Sequence, residues 1–211
     1  MRVLFFFLII GLWPCSVFGG PAADENAPAG ESPVFARIAR AAATVITISS
    51  DFRQEQHAGM LEDVLVSEGR FYYERPRRMR WEVAEPVQMG FIVNRGEAKR
   101  WRGKQGRQER FPIHQVPFIK VFTDQVFAWI TADFDGLRRG YEIQILQTDP
   151  IELQLMPLLP EEQRYFRYIR IQFSAADSHV NRVEIFQDER DFIQVQFFNT
   201  TLNEPLPKDL F

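Results

Sequence analysis

The residues of this chain that could do chemistry are few and scattered. The three histidines, His57, His114 and His179, are far apart and show no metal-ligand spacing. His114 sits between prolines and His179 in an expected turn, which places both as solvated loop residues. No Gly-x-Ser-x-Gly elbow and no phosphate loop is present. Asp133 and Asp135 form one close carboxylate pair, but Asp at a helix start is an ordinary cap. The one cysteine, Cys15, lies in the first twenty residues. The expectation is therefore a protein that binds rather than catalyses, with no catalytic residue, no metal site and no cofactor.

What remains is a basic, aromatic stretch, Gly69–Trp81, which reads as two strands meeting at a corner. Arg75 stands before Pro76, whose ring restricts the residue ahead of it to extended backbone. A guanidinium fixed there either is a solvated turn residue or reaches across a cavity mouth to donate to backbone carbonyls of a helix or loop. Arg77, Arg78 and Arg80 have two readings. They are either a salt-bridged strand surface or, for Arg77 and Arg78, a patch that docks an acidic partner. Phe71, Tyr73, Trp81, Phe91, Trp101, Phe118, Phe122, Trp129, Phe173 and Phe197 either fill a core or line an apolar cavity.

Composition limits these readings. The chain has 211 residues, 45% of them apolar, which suits one domain with a real core. It carries 20 phenylalanines and 14% aromatic residues, an excess that favours large apolar surfaces. Net charge is −3, so nothing global points to nucleic acid. Residues 1–20 read as a secretory signal, with Arg2 ahead of an apolar stretch and cleavage expected near Gly19 or Gly20. Cleavage removes Arg2 and Cys15 and leaves 24 basic against 28 acidic residues, a net charge of −4. Lipid attachment at Cys15 would want small residues where Trp13 and Pro14 stand. An exported chain without cysteine holds together by packing alone.

The positioning elements follow from periodicity. Residues 21–31 are an Ala/Pro/Gly-rich leader, and residues 32–211 form a single domain. Ser32-Pro33 caps an amphipathic helix whose apolar positions run from Val34 to Ile46. Asp51–His57 reads as a polar edge strand. Strands then follow over 64–73, 79–83, 89–94, 99–102 and 107–111, separated by Pro and Gly corners. Phe118–Ile130 is a second amphipathic helix with an aromatic face, and a further helical turn follows before Gly140. The last third returns to alternation, as in Ile169-Arg170-Ile171-Gln172-Phe173. The sum is a mainly β, α+β fold of ten or eleven antiparallel strands. A sheet of that size curls, giving an incomplete barrel with both helices in its apolar concave side.

These segments resemble a known family. The signal peptide and amphipathic helix, Asp51-Phe52-Arg53-Gln54, Gly69-Arg70-Phe71, Arg75-Pro76 followed by Arg80-Trp81, and the ending Phe197-Phe198-Asn199…Asn203…Leu206-Pro207…Leu210-Phe211 are similar to the periplasmic lipoprotein carriers of the LolA-like type. The resemblance implies an unclosed barrel with an apolar cavity, and a monomeric periplasmic carrier that ferries acyl chains of a lipoprotein or related lipid. An inner-membrane exporter would be the donor and the acceptor would sit at the outer membrane. It also implies that Arg75 latches a helical lid. Phe127–Ile130 with Asp133-Phe134 and Leu137, and the finish at Phe211, look more like a subgroup tied to other lipid exports. The alternative is an interaction module that docks a membrane complex without carrying lipid.

Overall fold

The computed structural model describes residues 32–59, 63–103, 108–115 and 117–211. The expected signal (1–20) and leader (21–31) lie outside the described residues, as do the side chains of Phe118 and His114.

The chain starts with α1 (Pro33–Ala43), with Pro33 at the first helical position and Ser32 extended ahead of it. The Ser32 side chain makes no capping bond, unlike the sequence expectation. The helix also ends three residues earlier than the expected Ile46. Thr44-Val45-Ile46-Thr47-Ile48 is a β-branched run that favours a strand, and the Thr44 hydroxyl turns back to the Ala41 carbonyl at 2.8 Å. Val34, Phe35, Ile38 and Ala42 form the buried stripe.

Six strands follow: β1 (Thr47–His57), β2 (Leu65–Glu74), β3 (Arg78–Glu85), β4 (Met89–Asn94), β5 (Glu97–Arg102) and β6 (Glu109–Pro112). A helical segment then intervenes: a 3₁₀ turn (Ile113–Gln115), α2 (Pro117–Thr131) and α3 (Phe134–Arg138). The second run is β7 (Tyr141–Thr148), β8 (Ile151–Pro157), the short α4 (Pro160–Gln163), β9 (Tyr168–Phe173), β10 (Val180–Phe186) and β11 (Phe192–Leu202).

All eleven described strands form one antiparallel sheet in the order β6-β5-β4-β3-β2-β1-β11-β10-β9-β8-β7. Strand β1 is therefore central, not an edge. It pairs with β2 on one side and with β11 on the other, Phe52 opposite Phe197. Its charged residues belong to the convex face, where Arg53 meets Glu55 and Glu68, and Arg70 meets Asp51, while Ser50 and Gln54 are buried on the side of Ile48 and Phe52. A twist of roughly 20–25° per strand pair curls such a sheet. The edges β6 and β7 are not paired to each other, and the segment bearing α2 and α3 connects them.

The concave face follows the period of two. Ile48, Phe52, Phe71, Tyr73, Met79, Trp81 and Val83 are buried on one half, and Leu153, Leu155, Ile169, Ile171 and Phe173 on the other. Helices α1 and α2 pack together in the concavity, with Phe35 of α1 4.7 Å from Phe134 of α3. Two glycines let rings approach the sheet. A Cβ on Gly69 would collide with the Glu82 carbonyl oxygen and stand 2.6 Å from Phe52 Cζ.

Candidate functional site

Helix α2 lays Phe122, Val126, Trp129 and Ile130 against the sheet, at helical spacing on one face. Beneath them lies a cavity with an almost wholly apolar wall. Its free volume is ≈ 50 Å³, room for a few water-sized groups at roughly 10–15 Å³ each. One wall is aromatic. Phe122 meets Trp81 edge-on at 5.5 Å and Phe91 at 6.0 Å. Phe71, Trp81 and Phe197 interlock with centroids 5.7 to 6.0 Å apart, and Phe52 lies 4.4 Å from Trp81. The other wall is aliphatic, from Val180, Val183, Ile185 and Val195 of β10 and β11.

Of the aromatic residues singled out in the sequence, Phe71, Trp81, Phe122, Trp129 and Phe197 line this cavity. Tyr73, Phe91 and Phe173 are buried in the surrounding core without reaching its wall. Burial raises the Tyr73 phenol above its ordinary pKa, and the nearby Arg75 partly offsets that. Trp101 is a correction. It pairs with Gly90 on the face opposite Trp81 and Phe91, and its ring packs directly on that glycine. Arg80 stacks on it at 4.8 Å and donates to the Leu210 carbonyl at 3.1 Å, so the C-terminal tail crosses this convex surface.

The hydroxyls at the cavity are mutually engaged. The Ser50 hydroxyl lies 2.6 Å from Thr200 Oγ1 and 3.2 Å from the Phe198 carbonyl, at a bulge where Asn199 has φ 51°. His179, expected to be solvated, lines the cavity instead. Its Nδ1 is 3.2 Å from Ser178 Oγ, and burial pushes the imidazole below its ordinary pKa. It lies in the turn 174–179, which folds against α1. The local sequence Ser-Ala-Ala-Asp-Ser-His reads as a plain surface turn, so nothing in it signals this placement.

Three guanidiniums clasp the helices. Arg75 donates through Nε to the Val45 carbonyl at 3.0 Å and through Nη2 to the Ala42 carbonyl at 2.9 Å. Both carbonyls lie at the end of α1, where the Ala42 carbonyl also accepts from Val45 N at 3.0 Å. The contact is with α1 and not with α2. Arg77 serves α2: its Nη2 donates to Asp124 Oδ1 at 2.6 Å and its guanidinium covers Phe127 at 4.7 Å. Arg78 is bound to Glu74 at 2.9 Å. Arg77 and Arg78 are thus engaged within the molecule, by carboxylates of α2 and of the same hairpin. The third clasp is not legible in the sequence. Arg37 of α1 donates from Nε and Nη2 to Asp177 Oδ2 at 3.1 and 3.0 Å, and from Nη1 to the Thr148 carbonyl at 3.1 Å. Asp133 caps α3 as expected, accepting from Gly136 N at 2.8 Å.

No described helix is long and apolar enough to cross a membrane, and no cluster of three metal-ligating side chains occurs among the described residues. Residues 43–211 match the family described as outer membrane lipoprotein carrier protein LolA. None of the curated proteins compared with the chain matches it. The fold is similar to that of an uncharacterized conserved protein from Thermus thermophilus, with TM-score 0.52 and 9% identity over 84% of this chain and 94% of the other. It is also similar to MucB, with TM-score 0.51 and 11% identity over 86% of this chain and 62% of MucB. MucB in the Pseudomonas aeruginosa MucA/MucB complex gives TM-score 0.50 and 10% identity over 83% and 58%.

Proposed function

The chain belongs to the LolA family of outer membrane lipoprotein carrier proteins, and from that premise we propose that it is a periplasmic carrier of acyl chains, loaded when α2 lifts from the sheet. One observation carries the reading. The apolar face of α2 lies on an apolar concave sheet, with only ≈ 50 Å³ free beneath it, and is fastened at its exposed side by an ion pair whose partners are 58% and 38% exposed. Such a pair contributes about 0–1 kcal/mol. Burial of an acyl chain supplies about 0.8 kcal/mol per methylene, so a few methylenes outweigh the clasp. The cargo would be a lipoprotein or related lipid, received from an inner-membrane exporter and passed to an outer-membrane acceptor. Phe71, Trp81, Phe122, Trp129 and Phe197 would touch the chain directly. Tyr73, Phe91 and Phe173 would support them from behind.

Delipidated protein titrated with an acylated peptide and a hydrophobic dye tests this. Saturable dye binding, displaced by the acylated and not by the deacylated peptide, is the expected result. A sample that takes neither ligand overturns it.

The small free volume also suits a second reading, an interaction module with a filled core. MucB has been solved in complex with MucA. On that reading a protein partner binds with unchanged affinity when the cavity is closed by a cross-link between α2 and β3.

A further inference from the structure

Helix α2 has a second lined face. Opposite the apolar cavity, residues Asp124, Gln125, Phe127, Ala128 and Thr131 form one wall of a cleft of ≈ 400 Å³. Arg77 at the β2–β3 corner, Asp133 and Arg139 flanking α3, Tyr141 at the start of β7 and Glu162 of α4 contribute to the rest. This volume lies within the range of small-molecule sites, about 300–1,000 Å³. The two pockets differ in kind, since the apolar cavity has almost no polar surface and the cleft is mainly polar with an apolar strip at Phe127 and Leu137. One helix thickness separates them.

The charges that face the cleft bear on its ligand. Three carboxylates, Asp124, Asp133 and Glu162, oppose two guanidiniums, Arg77 and Arg139. Arg77 is already bound to Asp124, and Asp133 to the α3 backbone. A phosphate would meet more negative than positive charge. Gln125 lines the cleft, and its Oε1, closed off from solvent in this conformation, accepts no hydrogen bond from a described residue; a movement of α2 that opened it to a ligand's donor would remove a penalty of about 1–3 kcal/mol. The Tyr141 phenol is held protonated, raised above its ordinary pKa by burial and then by contact with Glu162, so it is a neutral hydroxyl.

We infer that this cleft is a head-group site for the same amphiphile whose acyl chain enters beneath α2, and that it takes an uncharged head bearing hydroxyl or amide groups. The inference rests on the carrier reading. It assigns the tail to one face of α2 and the head to the other, so that a single helix movement admits both.

The test compares two lipids with the same acyl chain, a monoacylglycerol and a lysophosphatidylglycerol, together with a hydrophobic dye. One or two extra hydrogen bonds give the monoacylglycerol an advantage of about tenfold in the wild-type protein. Thr131→Trp fills the cleft from α2 and Arg139→Trp fills it from the facing wall. Each is expected to bring the two lipids to equal affinity while dye binding stays unchanged. Equal binding of both lipids by the wild type overturns the head-group site, as does a preference that survives both substitutions. A wild-type protein that takes neither lipid nor dye overturns the carrier reading itself, and the head-group site with it.

Discussion

Replacing Arg75 by Leu removes two of the bonds that hold the end of α1, to Ala42 and Val45, and leaves those of Asn203 to Thr44 and Ile46. A hydrogen bond to a charged donor contributes about 1.5–3 kcal/mol when shielded. Arg75 is exposed, and the freed carbonyls can turn to water, so about 1–2 kcal/mol for the two together is the appropriate scale. That is a factor of about 5–30 in the equilibrium between a seated and a released α1 end. Arg75→Lys keeps the charge near the helix C-terminus but not the forked geometry, and should fall between. Two measurements separate roles. Amide exchange at Ala42–Ile46 reports release of the α1 end, and the association rate of a hydrophobic dye reports access to the cavity. A latch requires both to rise by the same factor in Arg75→Leu. Faster exchange at Ala42–Ile46 with an unchanged dye rate would refute the latch and leave Arg75 as a cap for α1.

The clasp on α2 should behave differently, because the Arg77–Asp124 pair is exposed and its cation–π contact with Phe127 adds only about 0.5–1 kcal/mol. Arg77→Ala should speed dye association by no more than about thirtyfold, and less at 1 M salt, where the screening length falls to about 3 Å. Gly69→Ala places a methyl against the Glu82 carbonyl and the Phe52 ring, and should destabilise by about 1–3 kcal/mol as overpacking does, read as a lower urea midpoint with an unchanged slope. The lowered pKa of His179 means that the unfolded state binds its proton first as pH falls. The stability it contributes is present above about pH 6.5 and is lost through the folded pKa below it. A His179→Asn protein should show a smaller loss of melting temperature in that window.

The strand run is legible because one face is wet. Arg78-Met79-Arg80-Trp81-Glu82-Val83 alternates cleanly, and the structure gives it as β3 with Met79, Trp81 and Val83 inward. The aromatic face of α2 is legible for the same reason, from its period. The position of β1 is not. Its polarity suggests an edge, yet its neighbour β11 lies at the far end of the chain, and no local pattern reports a partner that distant. Trp101 shows a related blindness. Alternation in Glu97-Ala98-Lys99-Arg100-Trp101-Arg102 is weak, so the side it faces is set by its register opposite Gly90. The aliphatic wall is visible as Val183, Ile185 and Val195 but reads as ordinary strand core, since nothing in the sequence states where the sheet and α2 leave a gap. Arg77 and Arg37 are unreadable as clasps because Asp124 and Asp177 come from other elements.

The pairing of β1 with β11 has a consequence for how the molecule assembles. Strands β1–β6 form a meander of local contacts, and so do β7–β11. The seam between them joins residues almost 150 positions apart, such as Phe52 and Phe197, and loop-closure entropy makes such contacts late. During synthesis the first half therefore exists with β1 as an open edge until the last strand arrives. That edge carries Phe52 and Ile48 beside unpaired backbone groups, a template for association with other chains. The seam at the centre of the finished sheet is thus the place where the growing chain is most exposed to aggregation, and where a chaperone would have the most to protect.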